Sequence, residues 1–147
     1  MVILSNFVER LKELMSERNL NAPALAKEIG ANRTTISELL RGNYLPSTKH
    51  LIAIVEYFNC SSDYLLGLIE FPPNNVKYQP VKPFAERLRL CLNEAHKSEY
   101  RLQIDLNISD SLTYNWLHGK TQPTVDSLVK LSKYFGFHVD YLLGRED

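Results

Sequence analysis

The chain has 147 residues, 44% of them apolar, so it can form one packed domain or two small ones and is not disordered by composition. Its 17 basic and 17 acidic side chains cancel to a formal net charge of zero, so any binding to nucleic acid must depend on a local patch. Two cysteines without Cys-x-x-Cys spacing argue against a zinc site or a disulfide framework, and no apolar run approaches the roughly 20 residues that span a membrane.

The first predicted helix has apolar residues spaced along one helical face: Phe7, Leu11, Leu14 and Met15. A second, short helix covers Ala22 to Ile29, with Pro23 in its first turn, where the missing amide hydrogen is tolerated. Gly30 ends this helix, because glycine readily adopts the positive φ of a tight turn.

A third helix is predicted from Arg33 to Arg41, with Asn32 as its N-cap and Gly42 after its end. Ser47 caps a fourth helix, whose apolar face consists of Leu51, Ile54, Val55 and Phe58. Ser61 caps a last short helical turn. Because no alternation of period two appears anywhere, the predicted fold class is all-α.

The second and third helices, joined by a glycine turn, form a helix-turn-helix unit. Ala26 is small where the third helix crosses the second, and Ile36 and Leu39 hold the third helix against the core. Five side chains are left on its outward face: Arg33, Thr34, Ser37, Glu38 and Arg41. A helix held in this way can enter the major groove of DNA and present its first residues to base edges.

The sequence aligns with itself without a gap when it is shifted by 77 residues. Glycine, proline, aspartate and aromatic residues stay in register in the matched segments: Phe7–Leu11 with Phe84–Leu88, Leu40–Pro46 with Leu117–Pro123, and Asp63–Gly67 with Asp140–Gly144. We interpret this as a tandem duplication. Since residues 71–83 hold four prolines, the predicted domains are 1–70 and 83–147, with an extended linker over 71–82 that either bridges the domains or packs on one of them through Phe71 and Tyr78.

These residues give the chain a resemblance to the Cro and phage-repressor family of helix-turn-helix proteins, also called XRE-like. The segments that carry the resemblance are Leu25–Ser37, Arg41–Gly42 with Pro46, and Asp63–Gly67. It implies two tandem five-helix domains of the lambda-repressor type. It also implies binding to double-stranded operator DNA, commonly as a homodimer on a palindrome, and repression or activation of transcription.

The resemblance also implies roles for single residues. Base contacts are expected of the outward side chains Arg33, Thr34, Ser37 and Glu38. Phosphate contacts are expected of Asn21, Asn32, Arg41, Asn43 and Tyr44. The chain departs from the family where an arginine of the first helix often pairs with a glutamate of the third, because Met15 and Leu40 occupy those positions.

The second domain is predicted to be the weaker reader of DNA. Asp110 stands where the first domain has Arg33, and Trp116 replaces Leu39. Asn107 replaces Gly30, which is acceptable because asparagine tolerates a positive φ. A tentative second DNA contact remains on the outward face, formed by Ser111, Tyr114, Asn115, His118 and Lys120.

Nothing in the sequence resembles a nucleophile elbow, a phosphate-binding loop or a carboxylate pair, so no enzyme activity, metal or cofactor is predicted. The absence of a signal-peptide pattern leads us to expect a cytoplasmic protein without a membrane segment. The alternative function is a protein-interaction module, above all in the second domain, that binds a toxin, an anti-repressor or polymerase. Both cysteines and the aromatic residues at helical spacing are expected in the core; the aromatic residues are Tyr57, Phe58, Tyr64, Tyr134, Phe135 and Tyr141.

Overall fold

The computed structural model describes residues 2–147, and these residues form helices without strands, as the all-α prediction requires. The chain folds as two compact units, unit one (Met1–Tyr78) and unit two (Gln79–Asp147). Unit one contains α1 (Val2–Glu17), α2 (Ala22–Ile29), α3 (Arg33–Leu40), α4 (Thr48–Phe58) and α5 (Ser62–Leu65). Unit two contains α6 (Phe84–Glu94), α7 (Glu99–Leu106), α8 (Asp110–Leu117), α9 (Val125–Phe135) and α10 (Val139–Leu142). No helix in the described part of the chain is long and apolar enough to cross a membrane.

The helices of unit one begin at the residues that the sequence marks as caps. Asn32 Oδ1 accepts a hydrogen bond from the Thr34 amide at 2.8 Å, and Ser47 and Ser61 accept equivalent bonds at 3.1 Å from the third residue beyond them. These three predicted caps are confirmed. The third helix ends at Leu40, one residue before the predicted end, and Arg41 is its C-cap.

Unit one folds around side chains from all five of its helices. The fully buried members are Phe7, Leu11, Leu25, Ile36, Leu39, Leu51, Ile54, Val55 and Leu65. Ala26 is 3% exposed and lies on the face of α2 that packs against α3, so a larger side chain would separate the two helices. Burying this set orients α3 and leaves its opposite face in solvent.

Unit two repeats the bounds of four helices of unit one, because α7 to α10 begin and end 77 residues after α2 to α5, whereas α6 begins five residues later than α1 would predict. Asn107 follows α7 with φ +52°, as Gly30 follows α2 with φ +68°, so the predicted positive φ is confirmed at both positions. Trp116 is 2% exposed and packs edge-on against Phe84, with ring centroids 6.0 Å apart. The larger ring is therefore accommodated inside the core, where its Nε1–H has no hydrogen-bond acceptor among residues 2–147.

The proline-rich segment divides between the units. Five residues of the segment line a cleft of about 390 Å³ in unit one, together with α1 and the α4–α5 turn: Pro72, Pro73, Asn75, Val76 and Tyr78. Residues 79–82 belong to unit two, since the Gln79 amide donates to Arg145 O at 2.8 Å and the Lys82 amide to Leu143 O at 2.9 Å. Of the two aromatic residues predicted to pack the linker onto a domain, Tyr78 is half-buried and Phe71 is 74% exposed.

The prediction that the aromatic set lies in the core is wrong for most of its members. Tyr57, Tyr64, Tyr134 and Tyr141 are half-buried, because their rings or hydroxyl groups meet charged side chains at the rim. Arginine side chains cover three of these rings, with Arg10 Cζ 4.1 Å from the Tyr64 centroid. The cysteines also differ: Cys60 is half-buried, whereas Cys91 is fully buried and desolvation raises the pKa of its thiol to about 11.

Candidate nucleic-acid interface

The α2–α3 connection of unit one is a tight turn that orients α3. Gly30 has φ +68° and its amide donates back to the carbonyl oxygens of Ala26 and Lys27, which closes the C-terminus of α2. Only two residues then separate the turn from Arg33, the first residue of α3. Since Ile36 and Leu39 are fully buried, α3 is anchored along one side and exposed along the other.

The residues predicted to contact bases lie along the exposed side of α3. Arg33 and Thr34 are exposed in its first turn, and Ser37 and Glu38 are half-buried one turn later. The first turn of a docked helix is the part that reaches base edges, and arginine can donate two hydrogen bonds to guanine. Arg33 and Thr34 are therefore the best-placed pair of the four.

The residues predicted to contact phosphates flank the two helices. Asn21 Oδ1 accepts from the Ala24 amide at 2.9 Å, so Asn21 caps α2 as Asn32 caps α3. Both asparagines are exposed, and with their oxygens engaged they would offer a phosphate their amide nitrogens. Arg41, Asn43 and Tyr44 follow α3 and are exposed, Tyr44 by 46%.

The structure joins a residue predicted to contact a base, Glu38, to two residues predicted to contact phosphates, Arg41 and Asn43. Arg41 Nη1 donates to Glu38 Oε1 at 2.8 Å, and Asn43 Nδ2 donates to Glu38 Oε2. We call Glu38, Arg41 and Asn43 the Glu38 clamp. The spacing of three residues between Glu38 and Arg41 on one helix was a signal for the ion pair, but nothing in the sequence indicated that Asn43 joins it.

The tentative second contact lies on α8 and the residues after it. Ser111, Tyr114, His118 and Lys120 are exposed, and Asn115 is half-buried. The rings of Tyr114 and His118 stack with centroids 3.9 Å apart, and Lys120 Nζ lies 5.0 Å from the Tyr114 centroid. Unit two thus presents an aromatic and basic surface where unit one presents the Glu38 clamp.

Asp105 of α7 is held by neighbouring groups in unit two. The Tyr134 hydroxyl donates to Asp105 Oδ2 at 2.5 Å, and this bond lowers the pKa of the carboxyl, with Arg101 and Lys97 adding to the effect. Burial and the same hydrogen bond raise the pKa of Tyr134 to about 12. Lys97 and Arg101 therefore offset the negative charge of Asp105.

Two arginines for which the sequence predicted no role connect the first and last helices of their units. Arg10 Nη1 donates to the carbonyl oxygens of Tyr64 and, at 2.9 Å, Ile69. Arg87 donates to Tyr141 O at 2.6 Å and 3.0 Å. Both arginines belong to the repeated Phe-x-Glu-Arg-Leu segment, so its recurrence was the available signal.

Comparison with known proteins agrees with this geometry. Residues 8–70 match the family model of a helix-turn-helix domain. The matched residues all lie in unit one, on the helices that present the candidate interface.

Two relatives carry informative names. The chain is 26% identical to the uncharacterised HTH-type transcriptional regulator YobD of Bacillus subtilis (strain 168). The aligned 81 residues are 55% of this chain and 72% of YobD. The chain is also 36% identical to the ImmF control region 10 kDa protein of Bacillus phage phi105. The aligned 55 residues are 37% of this chain and 61% of the phage protein. No solved structure matches. These matches support a DNA-binding regulator.

Proposed function

We propose that this chain is a sequence-specific regulator of transcription, of the repressor type, in which α3 of unit one reads the major groove. The observation that carries the proposal is the exposure of Arg33 and Thr34 in the first turn of a helix fixed by buried Ile36 and Leu39. The capped N-termini of α2 and α3 add polar groups for phosphates on either side. The protein acts by binding, without a catalytic step.

Symmetry comes from a second copy of the chain in this proposal. Two copies of unit one contact two half-sites about 34 Å apart, the separation of one helical turn of DNA. Unit two is a second copy of the same fold in which Asp110 stands in place of Arg33. An exposed acid in the first turn of α8 is repelled by phosphates, so unit two supports binding without reading bases.

The test is selection of random duplex DNA on the full-length protein at about 0.1 M salt, since higher salt weakens phosphate contacts steeply. Arg33→Ala should abolish enrichment at one or two positions of each half-site. The matched variant of unit two, Asp110→Ala, should keep the same selected sequence. Enrichment of no sequence by the wild-type protein would contradict the proposal, as would an asymmetric site that changes in Asp110→Ala.

A second function, protein binding by unit two, is favoured by an exposed apolar pair on α7. Tyr100 is 67% exposed and Ile104 49%, and their spacing of four residues places them on the same face. The matching positions of unit one hold Pro23 and Lys27, which do not form an apolar pair. Aromatic and aliphatic side chains on an exposed face are typical of protein-binding surfaces.

A double variant, Tyr100→Ser with Ile104→Ser, separates this function from DNA reading. It should keep the wild-type affinity for the selected DNA but lose regulation of a reporter gene that carries this DNA as its operator. If affinity falls together with regulation, unit two acts in DNA binding or self-association instead. Unchanged regulation would remove the support for a protein partner at this face.

A further inference from the structure

Glu38 occupies an unusual position for a residue predicted to read a base. Its two carboxylate oxygens each accept a hydrogen bond, from Arg41 Nη1 and Asn43 Nδ2. The backbone reinforces the arrangement, because Gly42 has φ +76° and turns the chain so that the Asn43 amide lies 3.4 Å from Glu38 O. Asn43 is thus tied to Glu38 through both its backbone and its side chain.

In the ion pair, the Arg41 guanidinium lies nearer to solvent than the Glu38 carboxylate does. The Arg41 side chain is 68% exposed and that of Glu38 is 28% exposed. The charge-assisted bond from Arg41 and the bond from Asn43 engage both carboxylate oxygens, so a cytosine amino group could reach only the lone pairs that these bonds leave. Arg41 and Asn43 have unused donors on their outward sides, which suit a phosphate oxygen.

We propose, on the basis of DNA binding by unit one, that Glu38 is a positioning residue that holds Arg41 and Asn43 for a backbone phosphate and reads no base. Its negative charge has a second effect, because it offsets Arg41 and so lowers the affinity of this face for DNA of any sequence. The Glu38 clamp favours the correctly docked complex over random contacts.

The Glu38 clamp is found in unit one and is not repeated at the matching positions of unit two. In unit two the matching residues are Asn115, His118 and Lys120, and the Lys120 amide donates to Asn115 O at 2.8 Å as the Asn43 amide does to Glu38 O. The side chains differ, since His118 and Lys120 both lie against Tyr114. The backbone turn is therefore shared, and a carboxylate that gathers two donors is found in unit one.

The experiment compares Glu38→Ala, Arg41→Ala and the double variant in the full-length protein, with Glu28→Ala as the control that removes an exposed acid of α2 outside the clamp. Affinities are measured for the selected operator and for random duplex DNA. Glu38→Ala should select the same sequence as the wild type, bind the operator about tenfold more weakly, and bind random DNA more tightly. The loss of operator affinity in the double variant should be smaller than the two single losses combined, because Glu38 acts partly through Arg41.

Nuclear magnetic resonance of the free protein tests the clamp without DNA. The side-chain amide resonances of Asn43 should shift in Glu38→Ala and stay in place in Glu28→Ala; resonances that do not shift would refute the clamp whatever the DNA result. A changed base preference in Glu38→Ala, or additive losses in the double variant, would identify Glu38 as a base reader and overturn the inference. If Asn43 shifts but the wild-type protein selects no DNA, the proposed function fails and the positioning role fails with it.

Discussion

Unit one and unit two share the bounds of their last four helices, but they place their polar contacts on different parts of the same scaffold. In unit one the Glu38 clamp lies on the outward side of α3. In unit two an ion pair between Asp140 and Arg145, both 1% exposed, lies inside the fold, and Asp105 is held by Tyr134 at the rim. The difference shows that helix positions follow from a common apolar pattern, whereas the surface that determines function varies independently of it.

The largest effect is expected from Arg145→Leu in unit two. Leucine is the residue that unit one has at the matching position, Leu68. Arg145→Leu removes the partner of buried Asp140, whose carboxylate lies 2.6 Å from Arg145 Nη1. Removing one partner of a buried ion pair costs about 3–5 kcal/mol, so the unfolding transition of unit two should move to much lower urea or disappear. Circular dichroism during urea titration measures the change.

The control for this variant is Lys130→Leu, which removes the cation of a solvent-exposed ion pair in unit two. Lys130 Nζ lies 3.1 Å from Asp126 Oδ2, with both side chains more than half exposed. Such surface pairs contribute at most about 1 kcal/mol, so the transition should barely move. Equal effects of the two variants would show that burial of the Asp140 pair is unimportant.

A smaller difference is expected between Gly67→Ala and Gly144→Ala, at matching positions with φ +78° in both units. A Cβ at Gly67 would lie 2.6 Å from Asn6 Cβ, and one at Gly144 would lie 2.9 Å from Lys82 Cβ. The left-handed backbone costs alanine about 1–2 kcal/mol and the crowding adds about 1–3 kcal/mol. Gly67→Ala should lower the urea midpoint of its unit more than Gly144→Ala does, and the reverse order would contradict the close approach of Asn6.

The smallest effect is expected from Asp105→Asn, and it should depend on pH. Because the pKa of Asp105 is lowered in the folded protein, its carboxylate stabilises unit two above the usual aspartate pKa. This contribution is lost as the pH falls through the lowered pKa. The difference between wild-type and Asp105→Asn urea midpoints should therefore shrink as the pH is lowered from neutral. A difference that stays constant as the pH changes would contradict this role of the Asp105 carboxylate.

Helix positions could be predicted because local chemistry fixes them. Capping side chains such as Asn32 and Ser47 satisfy amides that a helix start leaves open, and Gly30 and Asn107 supply the positive φ of the turn. The outward side chains of α3 followed from the burial of Ile36 and its neighbours at helical spacing. These features depend on neighbours a few residues apart, which is the range over which a sequence pattern is informative.

Contacts between side chains could not be predicted in the same way. The sequence shows that Glu38 faces outward, but its hydrogen bonds depend on how the chain turns at Gly42. The half-buried tyrosines were misplaced because periodicity identifies a face and not how deeply it is covered. Tyr64 lies under Arg10, a residue 54 positions earlier in the chain, and such a partner is set by tertiary packing.

Trp116, buried against Phe84, gives the molecule a built-in optical reporter. It is the single tryptophan of the chain, and its indole is 2% exposed in the core of unit two. Indole emission shifts to longer wavelength when the ring enters water, so selective excitation of Trp116 follows the opening of unit two. Circular dichroism follows the helices of both units. An unfolding step seen by circular dichroism but not by tryptophan fluorescence therefore reports on unit one, without a label or a truncated chain.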